Sequence, residues 1–353
     1  MISVDTVFPA DSLEFCPSNG YQDIFVCGTY KLLEQSPTVE QDNTPKSPQI
    51  RIGQCLTFQV TADEEGGFSC RKIHSFNLPA IPDMKWCHRS NSTPLLGIAD
   101  SEGNVSLHAW QEQSFNQIDS IKCGPSDTLC LSLDWSNRLR GETNVGSLVV
   151  SLSNGYLCLL TPTEGSSLGL TQVWHAHDFE PWIAAWNYWD PNVIYSGGDD
   201  LKLKVWDIRQ GFVHPTFVNK RFEAGVTSIQ NHPHTEHILA VGSYNGTVQI
   251  FDTRKMTTSV VQADVGGGAW RVKWHPSEMR SSDLLVACMH DGFKVIRFDA
   301  TFTNTSNPQI LNRNDEHESM AYGVDWSYTS LKHEETLIAG CSFYDHKMSV
   351  WSA

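Results

Sequence analysis

One short pattern recurs along this chain and limits its fold more than any other feature. An apolar stretch runs into a turn rich in acid, amide or glycine, and an alternating stretch then closes on an aromatic residue. The clearest copy is Tyr195–Arg209, YSGGDDLKLKVWDIR, followed by Val241–Arg254, VGSYNGTVQIFDTR. Ala287–Asp299 (ACMHDGFKVIRFD) and Cys341–Ser352 (CSFYDHKMSVWS) repeat it, and Ile98–Trp110 and Val149–Leu160 carry weaker versions. The turn residues Glu102, Asn154, Asp200, Asn245, Asp291 and Asp345 follow one another at intervals of 52, 46, 45, 46 and 54 residues. A degraded first unit, Asp23–Leu32 and then Cys55–Val60, brings the count to seven. Each unit also opens on a strand that ends in Trp86, Trp135, Trp186, Trp274 or Trp326, with Asn231 standing in once.

Such a repeat cannot bury its apolar face alone, so neighbouring copies must stack. A period near 40–45 residues, four strands per unit and an aromatic-Asp close predict an all-β, seven-bladed WD40 β-propeller. The last unit reaches Ala353 after only three strands, and the run Ser3–Phe8 is expected to add the fourth and close the ring. One propeller over residues 1–353 then accounts for the whole chain. Residues 35–50 lack apolar periodicity and are expected to form a mobile loop in blade one.

The net charge of −15 argues against non-specific nucleic-acid binding and suits a basic or cationic partner. No apolar run approaches the roughly 18 residues of a membrane span. Ten cysteines without a C-x-x-C pair, several inside apolar runs, together with a start that does not resemble a signal peptide, point to a reduced, cytoplasmic setting. A monomer is expected.

Blades of this kind carry a polar network of a His before the first strand, a Ser or Thr in the second, an Asp in the turn and a Trp in the third. His177, Ser196, Asp200 and Trp206 fit that spacing, and it transfers to blade seven as His317, Cys341, Asp345 and Trp351. The cluster Cys341–His346 therefore reads as a blade turn rather than a hydrolytic centre. The position before the turn acid projects at the top face and carries Asp199, Tyr244, His290 and Tyr344. A second top-face register, at the start of the first strand, carries Trp182, Trp270 and Tyr322. Blades two and three hold Ser101, Ser153, Pro82 and Leu131 at these registers, so the reactive groups gather on one side of the ring. Packing between blades explains the two Trp equally well, and a solvated turn explains Asp199 and His290. No nucleophile elbow, zinc-protease helix or phosphate loop is present. Trp174–Asp178, WHAHD, is weak evidence for a metal, so no metal or cofactor is expected. On these grounds alone the chain reads as a binding module.

The runs Trp174–Asp200 (WHAHDFEPWIAAWNYWDPNVIYSGGDD), His237–Arg254, Gly267–Pro276 (GGAWRVKWHP), Ala287–Phe293 (ACMHDGF) and Cys341–His346 (CSFYDH) go beyond a general propeller consensus. Over residues 174–352 they resemble the WD40 proteins that act as diphthine methyl esterases. The resemblance implies a carboxylic ester hydrolase acting on translation elongation factor 2 that carries methylated diphthine. It would release methanol from a side chain that also bears a trimethylammonium group. It further implies an aromatic cage from Trp182, Trp270, Tyr244, Tyr322 and Tyr344, with Asp199, Asp178 or Glu180 attracting the cation. His290 is the expected base, oriented by Asp199 or Asp178, and the attacking group is water, Ser342 or Cys341. The alternative is a non-catalytic adaptor whose top face holds a peptide or protein.

Overall fold

In a computed structural model that describes residues 1–34, 49–63, 67–139, 144–163, 167–302, 307–330 and 335–353, seven antiparallel sheets follow one another along the chain. The expected seven-bladed all-β propeller is the fold observed. Six blades are four-stranded, and blade one carries an additional short strand, Lys31–Leu32. Most of the expected loop over 35–50 lies outside the described residues. Ring closure is as anticipated. Ile2–Asp5 pairs antiparallel with Lys347–Ser352, with Ile2 opposite Val350 and Asp5 opposite Lys347.

Strand alternation sends successive side chains to opposite faces, so each blade feeds two cores. In blade four, Ile183 and Ala185 pack toward blade five, while Ala184 and Trp186 pack toward blade three. Seven buried apolar clusters result, one at each interface between adjacent blades.

Near the axis, hydrogen bonds stitch the same seven interfaces. Trp135 Nε1 donates to the Lys85 carbonyl at 2.8 Å and Trp326 Nε1 to the Lys273 carbonyl at 2.9 Å. Trp86 Nε1 reaches the Glu14 carbonyl at 3.3 Å. Asn231, where the other blades have Trp or Phe, donates its amide to the Trp186 carbonyl at 2.6 Å. Acceptor side chains complete the ring. Asp134 takes the Trp186 amide at 2.9 Å, Asp325 takes that of Phe15 at 2.8 Å, and Gln230 takes that of Trp274 at 2.5 Å.

The first strands also point charges at one another across the axis. Glu14 accepts Lys85 at 2.9 Å and also Lys273, while Lys85 pairs with Asp83 at 2.6 Å and Arg138 with Asp134 at 2.9 Å. All of these groups are buried. Burial alone would raise the Glu14 pKa; Lys273 and Lys85 overcome it and hold the carboxyl far below its usual range.

The polar network of blade four is realised as expected. His177 Nδ1 lies 2.8 Å from Asp200 and Nε2 2.8 Å from Ser196, which accepts Trp206 Nε1 at 2.9 Å. Both ring nitrogens of His177 are engaged, which leaves neither for a metal. Blade seven corrects the transferred spacing. Cys341 packs in the core beside Met348 and Val350, and the hydroxyls come from Ser342 and Ser349, each 2.6 Å from His317. The cause is the hairpin. Gly197 pairs with Leu203 in blade four, leaving five residues between them, whereas Cys341 pairs with Met348, leaving six. The extra residue shifts the alternation, so Cys341 turns inward and Ser342 turns to the histidine.

Two stability outcomes are expected. Glu14→Gln removes the acid shared by two buried lysines and should cost about 3 kcal/mol in chemical denaturation; an unchanged midpoint would mean that the axial charges do not depend on one another. His108, His232, His275 and His317 are each pushed down to about 4 by burial. Below their ordinary pKa near 6.5 the unfolded chain takes up protons that the folded chain refuses, so acid favours unfolding. Asp11, raised to about 7, and Asp325, raised to about 6, act oppositely but are fewer. Calorimetry should therefore show the melting temperature falling from about pH 6.5 to about pH 4; a constant or rising value would contradict the assignment.

Candidate functional site

A cavity of about 370 Å³ opens on the face that carries the turns between the second and third strands, at the mouth of the central channel. Its volume lies in the range of small-ligand sites. Counting back four residues from Phe15, Trp86, Trp135, Trp186, Asn231, Trp274 and Trp326 gives Asp11, Pro82, Leu131, Trp182, Thr227, Trp270 and Tyr322 in blades one to seven. All seven line the cavity. Pro82, Leu129 and Leu131 make one side apolar and featureless, and the other side is aromatic.

The aromatic side is continuous. Trp182 and Trp270 stand with centroids 5.3 Å apart, Trp270 and Tyr322 4.9 Å, Tyr322 and Phe343 5.6 Å, and Phe343 and Tyr30 6.0 Å. Tyr244 meets Trp270 edge-on at 6.1 Å. Close backbone contacts hold these rings in place. A Cβ on Gly198 would lie 2.2 Å from the Glu180 carbonyl, and one on Gly267 would lie 2.0 Å from the Cys288 carbonyl. Glycine at these positions lets the segments leading into Trp182 and Trp270 press against the neighbouring turns. Thr227 Oγ1 donates to the Ala269 carbonyl at 2.6 Å and the Trp270 amide to the Ala287 carbonyl at 2.9 Å, which fixes the second indole. The buried Trp182 Nε1 has no hydrogen-bond partner among the described residues.

Of the residues singled out in the sequence, Trp182, Trp270, Tyr244, Tyr322 and Glu180 meet in this cavity. Tyr344 does not line it. It packs on Phe343 at 5.0 Å and is 71% exposed at the rim. Asp199 is exposed beside it, with its amide on the Glu180 carbonyl at 3.0 Å, and its charge adds to the rise that burial gives the Tyr244 phenol. Asp178 is exposed and ion-paired with Lys202 at 2.7 Å, a hydrogen bond that pulls its pKa down. His290 sits in an exposed turn and is not part of the cavity wall.

Ser342 is 0% exposed and lies between His317 and Asp345. A hydrolytic triad places the histidine between serine and acid. Here the serine is in the middle, out of solvent and inside a blade, so this group is a structural clamp. Cys341, with burial pushing its thiol far up, is likewise closed to substrate.

Sequence reasoning missed Asp11, Arg271, Tyr30 and Phe343, all of which line the cavity. Burial pushes the Asp11 carboxyl up to about 7, with Arg271 pulling it back and Asp83 adding to the rise. Arg271 is buried and lies 3.5 Å from Asp83. The cavity thus joins stacked aromatic faces, a carboxyl poised near neutrality and a guanidinium. Such a set can hold an organic cation, move a proton and stabilise an oxyanion.

The model of the WD domain, G-beta repeat, matches residues 216–252. A chain from the crystal structure of a mitotic checkpoint complex aligns with a TM-score of 0.69 over 100% of this chain and 93% of that one, at 13% identity, which speaks to the fold. A mouse protein named diphthine methyltransferase is 39% identical over 334 residues, 92% of this chain and 69% of its own length. The human protein of that name is 38% identical over 92% of this chain and 74% of its own. The Dictyostelium discoideum homolog is 33% identical over 98% of this chain and 96% of its own. Together with the seven-bladed fold, these relatives place the chain in the diphthine methyltransferase family of WD40 proteins.

Proposed function

We propose that this chain acts in diphthamide biosynthesis as a carboxylic ester hydrolase. It would remove the methyl ester of methylated diphthine on translation elongation factor 2 and release methanol. The relatives' names support a role in the pathway, and they speak of methyl transfer rather than ester cleavage. The observation that carries the reading is the one-sided aromatic wall, Trp182–Trp270–Tyr322–Phe343 with Tyr244 edge-on. A quaternary ammonium has no N–H to donate, so it is recognised by ring faces and nearby negative charge rather than by directed hydrogen bonds. Glu180 on the wall, with Asp199 and Asp178 exposed on segments beside it, adds that charge, and Tyr344 extends the aromatic surface at the rim. The net charge of −15 suits a cationic substrate.

The ester then lies beside the cation in a cavity whose one side is inert. A non-catalytic adaptor would use the same face for a peptide and would leave the ester intact.

Two measurements separate these readings. The first incubates the protein with elongation factor 2 carrying methylated diphthine and follows methanol and the mass of the modified residue. Hydrolysis gives free methanol and the carboxylate; methyl transfer moves the methyl group without methanol; an adaptor changes neither. The second titrates trimethylglycine methyl ester by tryptophan fluorescence. Trp270→Ala and Trp182→Ala should each weaken binding about tenfold, as expected for loss of a desolvated cation–π contact. Equal binding of the uncharged tert-butyl isostere would contradict the cage.

A further inference from the structure

Two other features of the ring are already satisfied within the fold. The buried thiols Cys123, Cys130 and Cys158 sit inside the core between blades two and three, closed to any partner. The hollow near Trp189, His237 and Arg254 is lined by side chains already paired, His237 and Arg254 within blade five and Trp189 to the His232 carbonyl of that blade. The top cavity carries more.

Resting on the ester-hydrolase reading above, we infer that Asp11 is the general base of the reaction and that Arg271 stabilises the oxyanion. Among the described residues two carboxylates line the cavity, and they differ in setting: Glu180 is exposed, whereas Asp11 stands on the first strand of blade one, half-buried between blades two and seven. Among the described residues no side chain donates a hydrogen bond to Asp11, so its oxygens are free to accept a proton. Arg271 is the one cationic side chain among the described lining residues, and it directly follows the cage residue Trp270. A cation held on Trp270 and Tyr322 therefore brings its ester between a base and a guanidinium. The groups facing Asp11 are Arg271 from blade six, Asp83 from blade two, Tyr322 and Cys341 from blade seven, and Tyr30 from its own blade.

The chemistry balances with water alone. The Asp11 carboxylate takes a proton from water as the water oxygen bonds to the ester carbonyl carbon, and the carbonyl electron pair moves to oxygen beside Arg271. Collapse of this intermediate breaks the bond to the methoxy group, which leaves with the proton from Asp11 as methanol. The product acid then ionises to the carboxylate. No covalent enzyme intermediate is needed, in keeping with the burial of Ser342 and Cys341.

A base must be deprotonated to act, so a carboxyl raised to about 7 makes turnover climb with pH through neutrality. The test measures methanol release from methylated elongation factor 2 by the wild type, Asp11→Asn, Asp11→Glu, Arg271→Lys and His290→Ala, each checked for folding by circular dichroism. Asp11→Asn should lower kcat at least about a hundredfold with substrate affinity within a few-fold of wild type. Asp11→Glu should recover part of the rate with a displaced pH midpoint, which a merely structural role would not produce. Arg271→Lys should lower kcat more than it changes KM, and His290→Ala should keep wild-type turnover. A folded Asp11→Asn protein with wild-type kcat and pH profile overturns the assignment. If that variant does not fold, the wild-type profile decides: a flat rate from about pH 5.5 to about 8.5 overturns it. Absence of methanol from the wild type itself defeats the hydrolase reading and the base together, which is a different and recognisable result.

Discussion

The propeller depends on a bond made seven times around its axis. At each interface a donor or acceptor near the end of one first strand reaches the backbone of the next, from the Trp135 indole on Lys85 to the Phe15 amide on Asp325. Apolar contact between blades is non-directional and would tolerate sliding. Hydrogen bonds in a buried setting do not tolerate it, because a displaced blade would leave the donor unpaired. The bond also explains why Asn231 can stand where other blades have Trp. Its amide aims an N–H at the previous blade as the indoles of Trp86, Trp135 and Trp326 do, whereas at the other three interfaces an acceptor side chain of the previous blade takes the backbone amide of Trp186, Trp274 or Phe15.

Fixing the first strands fixes the cavity. With their ends locked, the residue four positions earlier is brought to the channel mouth in every blade, so seven unrelated side chains form one wall. The fold sets the positions and leaves the chemistry to the residue types. Pro82 and Leu131 make one side inert, while Trp182, Trp270 and Tyr322 make the other a cation-accepting surface. The buried charges below, with Glu14 between Lys85 and Lys273, show that this axis sustains charge where pairing is complete. Asp11 lies above that cluster with weaker compensation, and its raised pKa follows from that difference.

Much of this could be read from the chain. Blades four to seven declare themselves by turn and Trp spacing, and the top-face registers of those blades led to Trp182, Trp270, Tyr244 and Tyr322. Two physical facts hid the remainder. Blade one ends its first strand in Phe15, which has no indole to mark the register, so Asp11 went unnoticed although it stands at the same offset as Trp182. Arg271 is one residue past a marked position, and strand alternation gave no reason to expect it at the wall. His290 occupies a top-face register free of the blade's polar network, which marks it as a candidate base, yet its turn carries it outside the cavity. In blade seven a hairpin one residue longer exchanged the parts of Cys341 and Ser342, and nothing in the Asp345 spacing reveals that change.

The account turns on one claim, that the top-face cavity receives a quaternary ammonium with its ester directed toward Asp11 and Arg271. A crystal structure of the Asp11→Asn protein soaked with a peptide bearing methylated diphthine tests it most directly. The account predicts the ammonium within about 6 Å of the Trp270 and Tyr322 ring centroids, with the ester carbonyl facing Arg271. A peptide bound elsewhere on the ring, or one whose ammonium points to solvent while the aromatic wall stays empty, would contradict it.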